Sequence, residues 1–369
     1  MNAPRFSDTD TARMRVALEL AASVKQRARP NPAVGCVIVA AGEIVGQGAT
    51  EAPGGRHAEV VALAEAGSRA AGAHAFVSLE PCAHFGRTPP CVDALIAANV
   101  AAVTVAVIDP DHRNQGAGIE RLVAAGIETR VGLLADDAAA LNAGFFTRCR
   151  LGRPRVTAKI AASIDGAVAM RSGESQWITG PAARHRGHAF RANSDALITG
   201  IGTVLADDPR LTARGADGSP SPIQPLRVIV DSRARLPTSA RLFDESGPLL
   251  HVTTSERSRA LAAEHIVVSA TASQQVDLAL LLQELGQRGI NDVLLEAGPT
   301  LTGAFAVAGL IDEIRWFVAP LLLGSETRQA LETPSWLRLT AGQRLSIHGI
   351  ESVGDDYLIS ASVSPPRYN

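Results

Sequence analysis

One imidazole, two thiols and a carboxylate stand out in the first third of the chain. His57-Ala58-Glu59 is followed, after room for one helix and one strand, by Pro81-Cys82 and then by Cys91. Zinc prefers nitrogen and thiolate ligands in a tetrahedron, and a catalytic zinc site keeps one corner open for water. His57, Cys82 and Cys91 supply the other three corners. An open corner lowers the pKa of a water, so that it can attack an amidine-like carbon bearing an amino group. Glu59, held off the metal, would pass protons to the ring nitrogen and to the departing ammonia. These residue types at this spacing predict hydrolytic deamination.

The spacing also constrains the elements. Positions i and i+2 of a regular helix do not share a face. His57 and Glu59 therefore converge only at a first turn, and Pro53-Gly54-Gly55 permits the irregular entry this needs. The usual deaminase pattern is P-C-x-x-C, and the insert between Cys82 and Cys91 is longer. It contains His84, a rival ligand. A purely structural zinc site would normally close with four protein ligands, which would require His84 to join. Cys36, in an apolar strand, and Cys149, near a linker, read as small buried hydrophobes.

The elements that position these residues follow from periodicity. Residues 8 to 27 read as an amphipathic helix capped by Ser7 or Asp8. Val34 to Val39 and Ile44 to Gly48 read as a hairpin around Ala41-Gly42. A helix from His57 to Ala71, a strand from Ala75 to Leu79, a helix from Val92 to Asn99 and a strand from Val103 to Ile108 follow. Helices are expected over Gly116–Ala125 and Asp136–Phe146. This order implies a sheet flanked by helices. The pattern breaks near Leu151-Gly152-Arg153-Pro154, giving domains at 1–150 and 151–369. Beyond the break, strands are expected at Arg155–Ala161, Ala196–Ile198, Leu226–Val230, Leu249–Val252, Ile266–Val268 and Val293–Leu295. Helices are expected at Pro181–Asn193, Asp277–Arg288 and Thr300–Ala308, with a closing hairpin of Leu345–Val353 and Tyr357–Val363. Gly215 to Pro225 reads as one long loop.

The chain has 369 residues, 46% hydrophobic, enough for two cores. Its formal net charge of −2 argues against a polyanionic partner, so no nucleic acid is expected. No apolar run approaches the ~20 residues that span a bilayer, so no membrane is expected either. Asp8, Asp10 and Glu19 make the N-terminus unlike a signal peptide. Four cysteines in so long a chain suggest a reducing cytoplasm rather than a disulfide framework.

Taken together, His57-Ala58-Glu59, Pro81-Cys82 and Gly86-Arg87-Thr88-Pro89-Pro90-Cys91 resemble the bifunctional deaminase–reductases of riboflavin biosynthesis. The long insert between the cysteines matches that family. Asn31-Pro32-Ala33-Val34-Gly35 resembles the substrate-side strand of its deaminase domain. In the second half, residues 161–166, 173–179, 203–209 and Glu296-Ala297-Gly298-Pro299-Thr300-Leu301 are similar to its reductase domain. The resemblance implies an α/β chain with an N-terminal cytidine-deaminase-like three-layer domain and a C-terminal dihydrofolate-reductase-like domain. It implies zinc and NADPH as cofactors, and a pyrimidine carrying a ribosyl phosphate as substrate. That substrate would be deaminated and its ribosyl unit then reduced to ribityl. It also implies a homo-oligomer, with a dimer as the simplest form.

Residue by residue, the resemblance places Ala161, Trp177, Thr203, Asp207 and Ser232 against the cofactor, and Ser175, Arg191, Leu211, Arg214 and Glu296 against the substrate. Gly298, Pro299 and Thr300 open a helix after an apolar strand, where backbone N–H groups suit a phosphate. Reduction of a ring-opened imine benefits from an acid, for which Asp207 and Lys159 are candidates. Gly200-Ile201-Gly202 lacks the third glycine of a dinucleotide fingerprint, so no Rossmann domain is expected. The alternatives are a single-function nucleobase or nucleoside deaminase with a non-catalytic binding domain, and a zinc-stabilised interaction protein without turnover.

Overall fold

Ser7 opens the first element because its hydroxyl replaces a missing helical partner. It accepts from Asp10 N–H while Asp10 accepts from Ser7 N–H, a reciprocal cap that starts α1 at Asp8–Ala28. The computed structural model describes residues 6–86, 88–215, 217–255, 262–334, 338 and 342–363. Arg87 of the cysteine insert and Ala216 of the long loop lie outside them.

The chain divides into two units, Met1–Gly152 and Arg153–Asn369. Gly152, with φ 67°, ends the last helix of the first unit in a left-handed cap. In that unit β1 (Gly35–Ala40) and β2 (Glu43–Ala49) form the expected hairpin. Then come α2 (Ala58–Ala66), β3 (His74–Val77), α3 (Cys91–Ala97), β4 (Ala102–Val105), α4 (Ala117–Ala124), β5 (Glu128–Val131), α5 (Ala135–Leu141) and α6 (Ala143–Leu151). The sheet order is β2-β1-β3-β4-β5, with β3, β4 and β5 parallel and the hairpin antiparallel to them. Side chains alternate across it. Cys36 and Ile38 face α2, α3 and α4, whereas Val37 and Phe76 face α1 and α5. These are the three layers.

Two expectations for this unit need correction, and one strand was missed. The helix expected to Ala71 gives way at Gly67 to a 3-10 turn, Gly67–Ala70. The single helix expected over 136–146 is two, broken at Asn142. Strand β5 was not anticipated; Glu128-Thr129-Arg130-Val131 is polar because it is a half-covered sheet edge.

The second unit comprises β6 (Arg155–Ser163), β7 (Ala167–Met170), α7 (Pro181–Ala192), β8 (Ala196–Gly200), α8 (Ile201–Asp207), β9 (Leu226–Val230), β10 (Leu249–Thr253), β11 (Glu264–Val267), α9 (Leu278–Gln287), β12 (Asp292–Leu295), α10 (Pro299–Val307), β13 (Glu313–Ala319), β14 (Thr327–Gln329), β15 (Leu345–Val353) and β16 (Asp356–Val363). Among the described residues its main sheet runs β11-β10-β9-β8-β12-β6-β13-β16-β15. Strands β11 through β13 in that row are parallel, and the β16-β15 hairpin closes the edge antiparallel. Helices α9 and α10 cover one face through Leu281, Leu285 and Phe305; Ile201 and Val204 of α8 cover the other. Strand β13 escaped the sequence reading because Glu313 and Arg315 interrupt its apolar pattern. Glu313 is nonetheless buried, paired with Arg155 and Arg315. No helix among the described residues is long and apolar enough to cross a membrane.

Candidate active sites

Strands β2 and β3 both run antiparallel to β1, so their C-terminal ends meet at one end of the sheet. The chain leaving β2 reaches His57, and the chain leaving β3 reaches Cys82. His57 is the N-cap of α2, in extended backbone, and Glu59 lies in that helix's first turn. This is the irregular entry the i, i+2 spacing required. Cys91 is the first residue of α3, and its N–H points at Cys82 Sγ at 3.3 Å.

The three side chains converge. His57 Nδ1 lies 3.0 Å from Cys91 Sγ and 3.5 Å from Cys82 Sγ, and the sulfurs are 3.4 Å apart. Among the described residues this is the one His/Cys/Asp/Glu group able to hold a metal ion, and His84 is not part of it. One nitrogen and two soft sulfurs in such proximity fit zinc. Contact with Cys91 is the main cause that pulls the Cys82 thiol down to about 4. Glu59 is 3% exposed, and burial pushes its carboxyl up to about 7, with the negative Cys82 adding to the rise. A carboxyl poised there can both take and return a proton near neutral pH.

What braces the Cys82 loop is not legible in the sequence. Glu80 is buried and accepts from the N–H groups of Asp109, Gly116 and Gly118 at 2.9–3.0 Å. Asn114 accepts from Ala83 N–H at 2.8 Å and donates to Pro81 O. A carboxylate and an amide inside a polar loop resemble ordinary turn residues in sequence. Only the backbone donors around them reveal the anchor.

In the second unit a cleft of about 480 Å³ opens where β6, β8 and β12 end. Of the residues expected there it is lined by Ala161, Thr203, Asp207, Gly298, Pro299 and Thr300, with Ser175 and Glu296 from the substrate set and Lys159 beside them. Gly298 caps α10 without a side-chain bond, and Pro299 occupies its first turn. A helix start facing the cleft, with no side chain bonded to its first N–H groups, fits a phosphate of a dinucleotide. Arg191 does not line the cleft but binds Glu296 through two nitrogens, at 2.7 Å and 3.1 Å. Burial holds the Lys159 ammonium below the usual lysine range, with Glu296 pulling the other way. Burial raises the Asp207 carboxyl.

Trp177, Ser232, Leu211 and Arg214 also lie off the cleft lining. Trp177 is exposed beneath the Arg184 guanidinium. Ser232 accepts from Val276 N–H. Leu211 is buried, and Arg214 pairs with Glu245. Conversely, Val168, Ala169, Arg328 and Glu332 form a wall that sequence reasoning missed. They come from or follow the short β7–β14 ribbon, whose strands are too brief to show a period.

Two family models match the chain: "Cytidine and deoxycytidylate deaminase zinc-binding region" over residues 7–107, and "RibD C-terminal domain" over residues 154–359. The chain is 43% identical over 357 residues to riboflavin biosynthesis protein RibD of Escherichia coli K12, covering 92% of this chain and 95% of that one. It is 45% identical over 362 residues to the RibD protein of Mycobacterium tuberculosis H37Rv, covering 98% and 99%. The chain belongs to the RibD family. Among solved structures, RibD of Acinetobacter baumannii superposes with TM-score 0.88 at 40% identity, covering 97% of this chain and 99% of that one. A Thermotoga maritima diaminohydroxyphosphoribosylaminopyrimidine deaminase/5-amino-6-(5-phosphoribosylamino)uracil reductase superposes with TM-score 0.86 at 30% identity, covering 96% and 99%. As a RibD family member, this chain is a deaminase and a reductase of riboflavin biosynthesis that uses zinc and NADPH on a small pyrimidine. Its second half matches the RibD C-terminal domain, which disfavours the single-function alternative.

Proposed function

We propose that residues 1–150 deaminate 2,5-diamino-6-(5-phosphoribosylamino)pyrimidin-4-one and that residues 151–369 reduce the ribosyl side chain of the product to ribityl. The observation that carries this reading is the convergence of His57, Cys82 and Cys91 beside a buried Glu59. His57, Cys82 and Cys91 would hold zinc, which when bound supplies the Lewis acidity that makes a water nucleophilic near neutral pH. Glu59 would take one proton from water and hand it to the ring nitrogen. It would then take the proton of the hydroxyl now on the carbon and hand it to the amino group, which departs as ammonia while the carbonyl forms.

In the second unit, bound NADPH would supply a hydride to C1′ of the ring-opened sugar. Ala161, Trp177, Thr203, Asp207, Ser232 and residues 298–300 would hold the cofactor; Ser175, Arg191, Leu211, Arg214 and Glu296 would hold the substrate. Asp207 lines the cleft and keeps its proton to higher pH than an ordinary aspartic acid, which suits it to proton donation. A second reading gives this duty to Lys159, whose ammonium sits in the same cleft beside Glu296.

The net charge of −2 supports a small-molecule substrate rather than a nucleic acid. Four free cysteines support a cytoplasmic location. The edge strand β15 exposes Leu345, Ile347 and Ile350, which supports pairing with a second copy in a homodimer. The test of function uses one preparation of the full chain. It should release ammonia from the diaminopyrimidinone and oxidise NADPH only once deaminated product is present. NADPH oxidation that never depends on that product would contradict the assignment.

A further inference from the structure

Asn142 interrupts what reads in sequence as one helix, and its side chain explains the interruption. With φ −108° and ψ 27° it leaves the helical path between α5 and α6. Its amide then reaches Ala33. Oδ1 accepts from Ala33 N–H and Nδ2 donates to Ala33 O, both at 2.9 Å. Asn142 is 5% exposed and Ala33 2%. A side chain thus makes the paired bonds that a neighbouring strand would make.

The segment it grips has a particular place. Ala33 lies two residues before β1, whose first residue pairs with Ala49 of β2 and exchanges hydrogen bonds with Ser78 just beyond β3. The chain beyond β2 leads to His57, and the chain beyond Ser78 leads to Cys82. Residues 31–34 therefore form the rim between the two ligand-bearing loops. Thr50 holds that rim from the other side: its hydroxyl accepts from Val34 N–H at 3.0 Å and lies 3.4 Å from Pro32 O.

We propose that Asn142 is a positioning residue of the deaminase site, fixing residues 31–34 as a preformed edge against which the pyrimidine is held. The proposal rests on the deaminase reading of the His57–Cys82–Cys91 site. A segment ordered before the substrate arrives need not be ordered at the expense of binding. Losing the grip therefore weakens substrate binding and leaves the ligand set intact.

The test compares full-length N142A with the parent. KM for ammonia release should rise about tenfold, with kcat within about twofold, because binding rather than chemistry loses support. Zinc content and NADPH-dependent reduction should match the parent. N142D keeps an acceptor for Ala33 N–H but loses the donor to Ala33 O, and should fall between. T50V removes the grip on the other side and should move KM the same way; it decides the matter if N142A does not fold. Parental KM in both N142A and T50V, even with lower thermal stability, would overturn the proposal, as would loss of zinc from N142A. If the parent itself releases no ammonia, the deaminase reading has failed. If the parent does and the variants match it, only this inference has failed.

Discussion

Gly48 of β2 lies directly against Ala58 of α2: a Cβ on Gly48 would come within 2.2 Å of the Ala58 carbonyl oxygen. Ala58 sits between His57 and Glu59, so the turn that presents both side chains rests on bare strand backbone. Gly48→Ala must push that turn away. We expect a stability loss of about 1–3 kcal/mol together with weaker zinc retention, read by thermal unfolding and by metal content after dialysis. A variant that keeps parental stability and metal would refute the packing argument.

Glu59→Gln removes the carboxyl proposed to carry protons while leaving the donor set untouched. Ammonia release should fall roughly 10²–10⁴-fold, with zinc content and NADPH-dependent reduction unchanged. Should zinc disappear along with activity, Glu59 is a ligand or a support, not the acid–base group.

The rival histidine can be separated from the ligand set. Cys91→Ser should lose most of the bound zinc, whereas His84→Ala should hold the parental stoichiometry, because His84 stands outside the converging group. Elemental analysis of the two proteins distinguishes the cases. A large drop in the His84 variant would bring it into the site.

Much of this was legible in sequence for a physical reason. Thiol, imidazole and carboxylate are scarce residue types, so their spacing stands out, and the hairpin announced itself through Ala41-Gly42, both at positive φ. Asn142 was not legible, because its reason for breaking a helix is a partner 109 residues away. Nor was β13, whose Glu313 and Arg315 look like surface residues until Arg155 and Ser360 meet them. In the cleft of the second unit, Thr203 and Glu296 lie on the lining as expected, but the wall containing Ala169 and Arg328 depends on two short strands that only pairing defines.

The second reading, in which Lys159 serves the reduction, carries a pH signature. Burial lowers its pKa from the ordinary lysine value. A protonated Lys159 serving the reaction would support full activity below that lowered pKa, and activity would fall as pH rises through it. The alkaline limb for NADPH oxidation should therefore come at lower pH than for an ordinary lysine, and Lys159→Arg should shift it upward. Asp207→Asn should slow reduction by about 10²-fold if Asp207 is the acid instead, and should spare ammonia release. A limb that Lys159→Arg leaves in place would remove Lys159 from the step.

The most direct measurement strips zinc from the full-length protein with a chelator and assays both half-reactions on the same sample. We predict that ammonia release disappears and returns on adding zinc, while NADPH oxidation with deaminated substrate continues throughout. Ammonia release at the parental rate from protein shown by elemental analysis to hold no metal would contradict the account.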